Sequence, residues 1–181
     1  MRLVQSHYNG GVTFRIRHFE KADFETLWRI DQACFEPQLA YSRPEMAFYM
    51  CRPSAFTLVA ESAGNGRPGE GGRPPDRGPS QAAGVLGFIV AEKQRQKGHI
   101  ITIDVIEQAR RLGVGSALLD AAEGRLRKTG AVAVELETAV NNEPAIRFYK
   151  QKGYFVERTV RGYYSNRLDA LVMAKELAGR F

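Results

Sequence analysis

The sequence has 181 residues, with 26 Lys+Arg against 20 Asp+Glu, 44% hydrophobic residues, 18 Gly and two Cys. Those proportions fit one globular domain and exclude collagen-like, disulfide-scaffold and wholly disordered chains. A net charge of +6 suits a phosphorylated cofactor or nucleic acid and chooses neither.

Residues 1–11 end in Asn9-Gly10-Gly11 and show no period, so they read as a mobile lead-in. The polar residues before His7 leave no room for a signal-peptide core, and a cytoplasmic protein is expected. Val12, Phe14 and Ile16 alternate with Thr13, Arg15 and Arg17, which predicts a half-buried strand. A helix follows at about 20–33, with Leu27, Ile30 and Cys34 on one face. Ser42 and Glu45, with Pro44 between them, form a capping-box pattern that opens a short helix reaching about Met50. Ala55 to Glu61 reads as a strand. Residues 64–79 hold six Gly and four Pro with no apolar residue, which predicts a flexible loop rather than a domain boundary.

The segments 84–92 and 99–106 read as a hairpin about a polar turn at 93–98. The longest near-continuous apolar run, Ala82 to Ala91, has ten residues, half of the roughly 20 that cross a bilayer, so no membrane span is expected. A helix at 111–129 closes on Gly130, a strand follows at 131–138, a helix at about 143–152, and strands at 154–160 and 169–175. This order predicts an α/β mixed sheet with helices on both faces. Cys34 and Cys51 lie in no CxxC or Cys/His cluster, which predicts reduced thiols and no metal. His7, His18 and His99 fall in no pattern and read as surface histidines.

The junction that follows Ile103-Asp104-Val105 is the most informative. Arg110-Arg111-Leu112-Gly113-Val114-Gly115-Ser116 sets two glycines where a strand hands over to a helix. Free N–H groups and the helix dipole favour a phosphate there, and glycines let its oxygens approach the backbone. Close packing of helix on sheet is the other use such glycines have. The run is neither a P-loop nor a Rossmann fingerprint. Arg-x-x-Gly-x-Gly at 110–115 resembles the acyl-CoA pyrophosphate motif of the GNAT acetyltransferase superfamily. Asn142-Glu143-Pro144-Ala145 through Tyr149 to Gly153-Tyr154 is similar to that family's Asn-x-x-Ala-x-x-x-Tyr-x-x-x-Gly-Phe segment. Tyr163-Tyr164 with Asp169 to Met173 is similar to the C-terminal hairpin of bacterial ribosomal-protein alanine N-acetyltransferases and protein N-terminal acetyltransferases. The resemblance covers about residues 12–177.

It implies one acyltransferase domain over 12–177, with a mostly antiparallel sheet of six to seven strands. It also implies acetyl-CoA as donor and a primary amine as acceptor, a protein or peptide N-terminus first and a small amine or lysine second. A monomer or homodimer would serve. Ile103 and Val105 would hold the pantetheine through their backbone, with Val105 N–H facing the oxyanion. The backbone from Arg111 through Leu112, Gly113, Val114 and Gly115 to Ser116 would hold the pyrophosphate. Arg110 and Arg111 would add charge, and Asn142 would bond the pantetheine arm. Tyr149 would be the acid that protonates the thiolate, and Glu137 the base, with Asp104 as the rival carboxylate. Glu135 and Glu137 share one strand face, and two solvated glutamates would also fit the pattern. Phe35, Tyr163 and Tyr164 would line the acceptor site. The stretch Phe35 to Tyr41 departs from the ribosomal-protein enzymes, and 64–79 is an insertion, so the acceptor is less constrained than the donor. A non-catalytic acyl-CoA-binding module is the alternative from another class. Nucleic acid is not expected, because no helix-turn-helix, zinc or aromatic strand code appears.

Overall fold

Phe14 and Ile16 are buried while Thr13 and Arg15 are exposed, as a half-buried strand requires. They belong to β2 (Val12–His18) in a computed structural model that describes residues 5–9, 12–62, 84–164 and 167–177. The chain continues through α1 (Phe24–Cys34), α2 (Arg43–Met50), β3 (Ala55–Ser62), β4 (Val85–Gln94) and β5 (Lys97–Val105). Then come α3 (Val114–Lys128), β6 (Ala133–Ala139), α4 (Glu143–Gln151), β7 (Phe155–Val160) and β8 (Ala170–Glu176). Ahead of β2 lies β1 (Gln5–Asn9), an antiparallel edge strand inside the stretch read as a mobile lead-in. Strand pairing uses backbone groups and needs no side-chain period, which is why the alternation did not announce it. The Gly/Pro-rich stretch 64–79 lies outside the described residues.

One sheet runs in the order β1-β2-β3-β4-β5-β6-β8-β7. It is the expected mixed, mostly antiparallel sheet of seven strands, with β1 added at its edge. Among the described residues only β5 and β6 pair in parallel, because the crossover through α3 returns the chain in the same direction. Helices cover both faces. Leu27, Ile30 and Met46 of α1 and α2 pack on Val59, Phe88 and Val90. Leu118, Leu119 and Leu126 of α3 pack on the opposite face with Ile89, Ile100, Val134 and Leu136. Each fully buried leucine contributes about 1.5–3 kcal/mol. Leu126 crosses so close to Gly98 that a Cβ there would stand 2.5 Å from Leu126 Cδ1. That contact holds α3 against β5, with the start of the helix at the far end of the strand.

Two local features shape the site. The hairpin between β4 and β5 closes in two residues, with Gln94 opposite Lys97 and Arg95 in a left-handed conformation (φ 56), so both strands reach into the turn expected at 93–98. A bulge slips the β4–β5 register between Val90 and Ala91, which face Thr102 and Ile100. It reverses the alternation along β5, so Thr102 and Asp104 turn to the α1 side while Ile103 and Val105 pack with the α3 core. Ser42 and Glu45 form the capping box of α2, with Ser42 N–H donating to Glu45 Oε2 at 2.9 Å. Among the described residues no helix is long and apolar enough to cross a membrane.

Candidate active site

Parallel pairing stops at Ile100 opposite Leu136, yet β5 runs on to Val105 and β6 to Ala139. The diverging ends enclose a cavity of ≈ 140 Å³, lined by residues that include Tyr41, Thr102, Glu137, Thr138 and Tyr164. A larger cleft of ≈ 1050 Å³ adjoins it, bordered by Cys34, Asp104, Arg111, Gly113, Gly115 and Ser116 among others. Phe35, Ile103, Asn142, Ala145 and Tyr149 line both spaces.

The larger cleft ends on the glycine junction. A short 3₁₀ turn, Glu107–Ala109, leads into Arg111 at φ 62 and Gly113 at φ 80. Two left-handed residues cannot continue a right-handed helix, so α3 begins at Val114 rather than at 111 as expected. The first backbone donor inside the helix is Ala117 N–H, to Gly113 O at 3.0 Å. The N–H groups of Val114, Gly115 and Ser116 therefore lie at the positive end of the helix without an intrahelical acceptor. Alternating hand in the preceding turn is the backbone pattern of an anion nest. A Cβ on Gly115 would meet Phe148 and Val105 at 3.7 Å, an ordinary contact, so packing does not demand glycine there. Val114 is buried and offers only its backbone. Arg111 borders the cleft. Arg110 borders the cleft as well, giving Nε to Val105 O at 3.1 Å and lying 3.7 Å from Cys34 Sγ.

β5 presents a free edge to this space. Asp104 O faces Gly87 of β4, where a Cβ would come within 2.4 Å of it, and Ile106 N–H donates to Leu86 O at 3.0 Å. By alternation the backbone groups of Ile103 and Val105 point the other way, away from β4. Asn142 caps α4, its Oδ1 accepting Ala145 N–H at 3.2 Å. Tyr149, on the next turns of that helix, is 7% exposed and packs against Phe148 and Tyr154. Burial, then the nearby Asp104 and Tyr164, push its phenol up, so it keeps its proton at neutral pH.

The two candidate carboxylates differ sharply. Asp104, the rival carboxylate, borders the larger cleft, is 1% exposed and is turned toward α1 by the bulge. It accepts Thr102 Oγ1 at 3.2 Å, and its Oδ1 has no partner. Burial, then the charge of Asp31, raise it well above the usual carboxylate range, the direction in which burial drives a carboxyl without a paired cation. Glu137 lines the smaller cavity, and its Oε2 lies 2.7 Å from His99 Nε2. Glu135 is engaged elsewhere, by Lys97 Nζ at 2.7 Å. His99 is thus the site residue that sequence reasoning missed. Only the parallel register, with His99 opposite Glu135, brings it near Glu137. Burial alone would lower its imidazole, but the hydrogen bond to Glu137 and the charges of Glu137, Glu92 and Glu135 prevail, and the net direction is up.

Aromatic side chains wall the smaller cavity. Tyr163 and Tyr164 stack edge to face at 5.0 Å, Tyr164 facing the cavity and Tyr163 half exposed. Phe35, Leu39 and Tyr41 come from the α1–α2 connection. α1 grips Tyr41 at both backbone groups, since Asp31 Oδ2 accepts its N–H at 2.9 Å and Gln32 and Trp28 donate to its carbonyl at 2.9 and 3.1 Å.

Comparison with known proteins agrees with this architecture. Residues 24–154 match the sequence profile of the Acetyltransferase (GNAT) family. The chain is 43% identical over 83 residues to an N-alpha-acetyltransferase of Sulfurisphaera tokodaii, which covers 45% of this chain and 50% of that one. It spans about half the length of the first such curated relatives it matches. Ard1 from Thermoplasma volcanium superposes with a TM-score of 0.73 at 29% identity, over 92% of this chain and 99% of that one. The ribosomal-protein-S18-alanine N-acetyltransferase from Escherichia coli shares the fold, with a TM-score of 0.72 at 20% identity over 93% and 96% of the two chains. With a profile match over most of its length and the splayed β5–β6 pair that the match spans, the chain belongs to the GNAT acetyltransferase family.

Proposed function

We propose that the protein is an acetyl-CoA-dependent N-acetyltransferase that acetylates the α-amine of a protein or peptide N-terminus by direct transfer in a ternary complex. The observation that carries this reading is the meeting of the two spaces at Ile103, Asn142 and Tyr149, with the glycine turn at the end of one and Glu137 in the other. Acetyl-CoA supplies an acetyl group activated as a thioester. The N–H groups of the turn from Arg111 to Ser116 receive its pyrophosphate. The free edge at Ile103 and Val105 pairs with the pantetheine amides as with an added strand, and Asn142 holds the arm.

Glu137, backed by His99, takes a proton from the α-ammonium group, leaving a neutral amine that attacks the thioester carbonyl. Val105 N–H donates to the oxyanion. The C–S bond then breaks, and Tyr149 gives its hydroxyl proton to the departing thiolate. Tyr41, Tyr164 and Phe35 form the wall that receives the acceptor's first residues. The name of the Sulfurisphaera relative, an N-alpha-acetyltransferase, supports the choice of an α-amine over a small amine.

The test is mass-spectrometric screening of N-terminally free peptides, lysine peptides and polyamines with acetyl-CoA, for wild type and Tyr149→Phe. Acetylated α-amines, lost or sharply reduced in the variant, are expected. Modified lysines or polyamines alone would overturn the acceptor class, and no product from a protein that binds acetyl-CoA would favour a binding module.

A further inference from the structure

Behind Glu137 a row of polar side chains crosses three strands and reaches the end of α2. His99 on β5 stands 2.7 Å from Glu137 of β6 through Nε2, and 3.9 Å from Glu92 of β4 through Nδ1. His99 and Glu92 are direct cross-strand partners. Glu92 is fully buried, at 0% exposure, and its carboxylate accepts Gln94 Nε2 at 2.8 Å, Arg52 Nη1 at 3.1 Å and Ser54 Oγ at 3.2 Å. Burying a carboxylate costs several kcal/mol unless it is paired, and an apolar side chain of similar volume often serves stability as well. Packing alone therefore does not account for an acid here.

The proton chemistry supplies a reason. An α-ammonium group titrates near 7.7–8.0 and a free glutamate side chain in water near 4.3, so transfer to a lone carboxylate in water is uphill by about 3.5 pH units. An imidazole close to its ordinary value removes more than half of that gap. A neutral His99 can hold only one ring proton. If that proton serves Nε2, the Nδ1 lone pair faces the Glu92 carboxylate, whereas the imidazolium offers a proton to both sides.

Building on the proposed function, we propose that Glu92 is a positioning residue for proton removal: anchored by Arg52, Ser54 and Gln94, it holds the His99 ring toward Glu137 and makes His99 the proton's receiver. The N–H bond of the α-ammonium breaks, its proton passes to Glu137 and then to His99 Nε2, and His99, with 29% of its side chain exposed, returns it to water. The charged and titratable groups around His99 are Glu92 on β4, Glu135 and Glu137 on β6, and Arg52 behind Glu92. Lys97 on its own strand is paired with Glu135, and Tyr163 and Tyr164 lie near Glu137. The opposing signs of Glu92 and Arg52 make opposite predictions.

The experiment measures the His99 ring titration by NMR, assigned with a His99→Gln spectrum, and the pH profile of kcat/KM, in Glu92→Gln, Glu92→Asp and Arg52→Met. In Glu92→Gln the His99 titration and the acidic limb of the profile should move together to lower pH by about 0.5–1 unit, with a plateau reduced about three- to tenfold. KM for acetyl-CoA should stay unchanged. Arg52→Met should move both upward, and Glu92→Asp should recover most of the wild-type profile. Thermal unfolding checks each variant's fold, and if Glu92→Gln does not fold, the upward shift in Arg52→Met decides. Movement of less than about 0.2 unit, or the same direction in the Gln and Met variants, overturns the proposal. An inert protein that still shows the His99 shifts would sink the proposed function and with it the purpose of the relay. An active protein with an unmoved His99 overturns the relay alone.

Discussion

His99 Nε2 and Glu137 Oε2 stand 2.7 Å apart across the parallel β5–β6 pair, one position from where that pairing ends. Glu137 lines the smaller cavity, so loss of its charge should affect the acceptor half of the proposed reaction. Glu137→Gln keeps the shape and removes the charge. It should lower kcat/KM for the acceptor about 10²–10⁴-fold, while acetyl-CoA affinity measured by calorimetry stays within twofold. A parallel loss of acetyl-CoA binding would mean that Glu137 supports the donor site instead.

The same pair makes stability depend on pH. His99 titrates above its ordinary value in the folded protein, so its contribution is fully present below about pH 6.5 and is lost as pH rises through the folded value. Denaturant unfolding should therefore show stability declining as pH rises above about 6.5. His99→Gln should flatten that decline, and an unchanged slope would show that another group sets it.

Asp31 gives a second, independent dependence. Its carboxyl, buried under α1, is pushed up to about 6 by burial, against the Tyr41 N–H and Gln32 bonds that favour its charge. A carboxyl raised on folding is stabilising when protonated, so stability falls as pH rises from about 4, the unfolded value, through 6. Asp31→Asn can still accept the Tyr41 N–H. It should remove this slope between pH 4 and 6 and raise the melting temperature at pH 7.5 relative to wild type. A variant with a lower melting temperature at both pH 5 and pH 7.5 would show instead that the ionised group is needed to hold the Tyr41 loop.

How far the sequence foretold these sites depends on how local each determinant is. Ser42-Glu45 closes its own cap and was legible from neighbouring residues alone, whereas the left-handed Arg111 and Gly113 that delay α3 to Val114 were not. From β2 onward the order of strands and helices along the chain followed from alternation and from helix stops. His99 was not legible, because its partner is set by the register of two strands joined through a whole helix. The β5 bulge was hidden for a related reason. One bulge residue in β5 reverses the side chains beyond it, and nothing in Ile100-Ile101-Thr102 marks where the slip occurs. Arg110 matches the acyl-CoA motif by spacing, but its guanidinium is taken by Val105 O, a contact only the folded turn reveals.

In the proposed reaction Tyr163 and Tyr164 bear on the acceptor and not on the donor. Burial, then Tyr163 and Glu137, push the Tyr164 hydroxyl up to about 12, so it remains a hydrogen-bond donor at working pH. Replacing both tyrosines by Ala should raise KM for peptide acceptors at least tenfold, roughly the loss of one or two bonds. Small-amine turnover and KM for acetyl-CoA should be spared. Equal loss with peptides and small amines in steady-state assays would argue that the pair only supports the hairpin.

Gly113 and Gly115 allow folding and binding to be separated within one turn. Gly113 sits at φ 80, where an added Cβ costs about 1–2 kcal/mol, so Gly113→Ala should lower the melting temperature. At Gly115 the backbone is helical and a Cβ meets only ordinary contacts at 3.7 Å. Alanine there should be neutral or stabilising by up to about 1 kcal/mol from helix propensity. If the N–H groups of this turn receive the pyrophosphate, the same methyl obstructs its approach. Gly115→Ala should then raise the acetyl-CoA dissociation constant at least tenfold while the melting temperature of the unliganded protein holds or rises. A variant that binds acetyl-CoA as tightly as wild type would place the pyrophosphate elsewhere and leave Gly115 without a ligand to make room for.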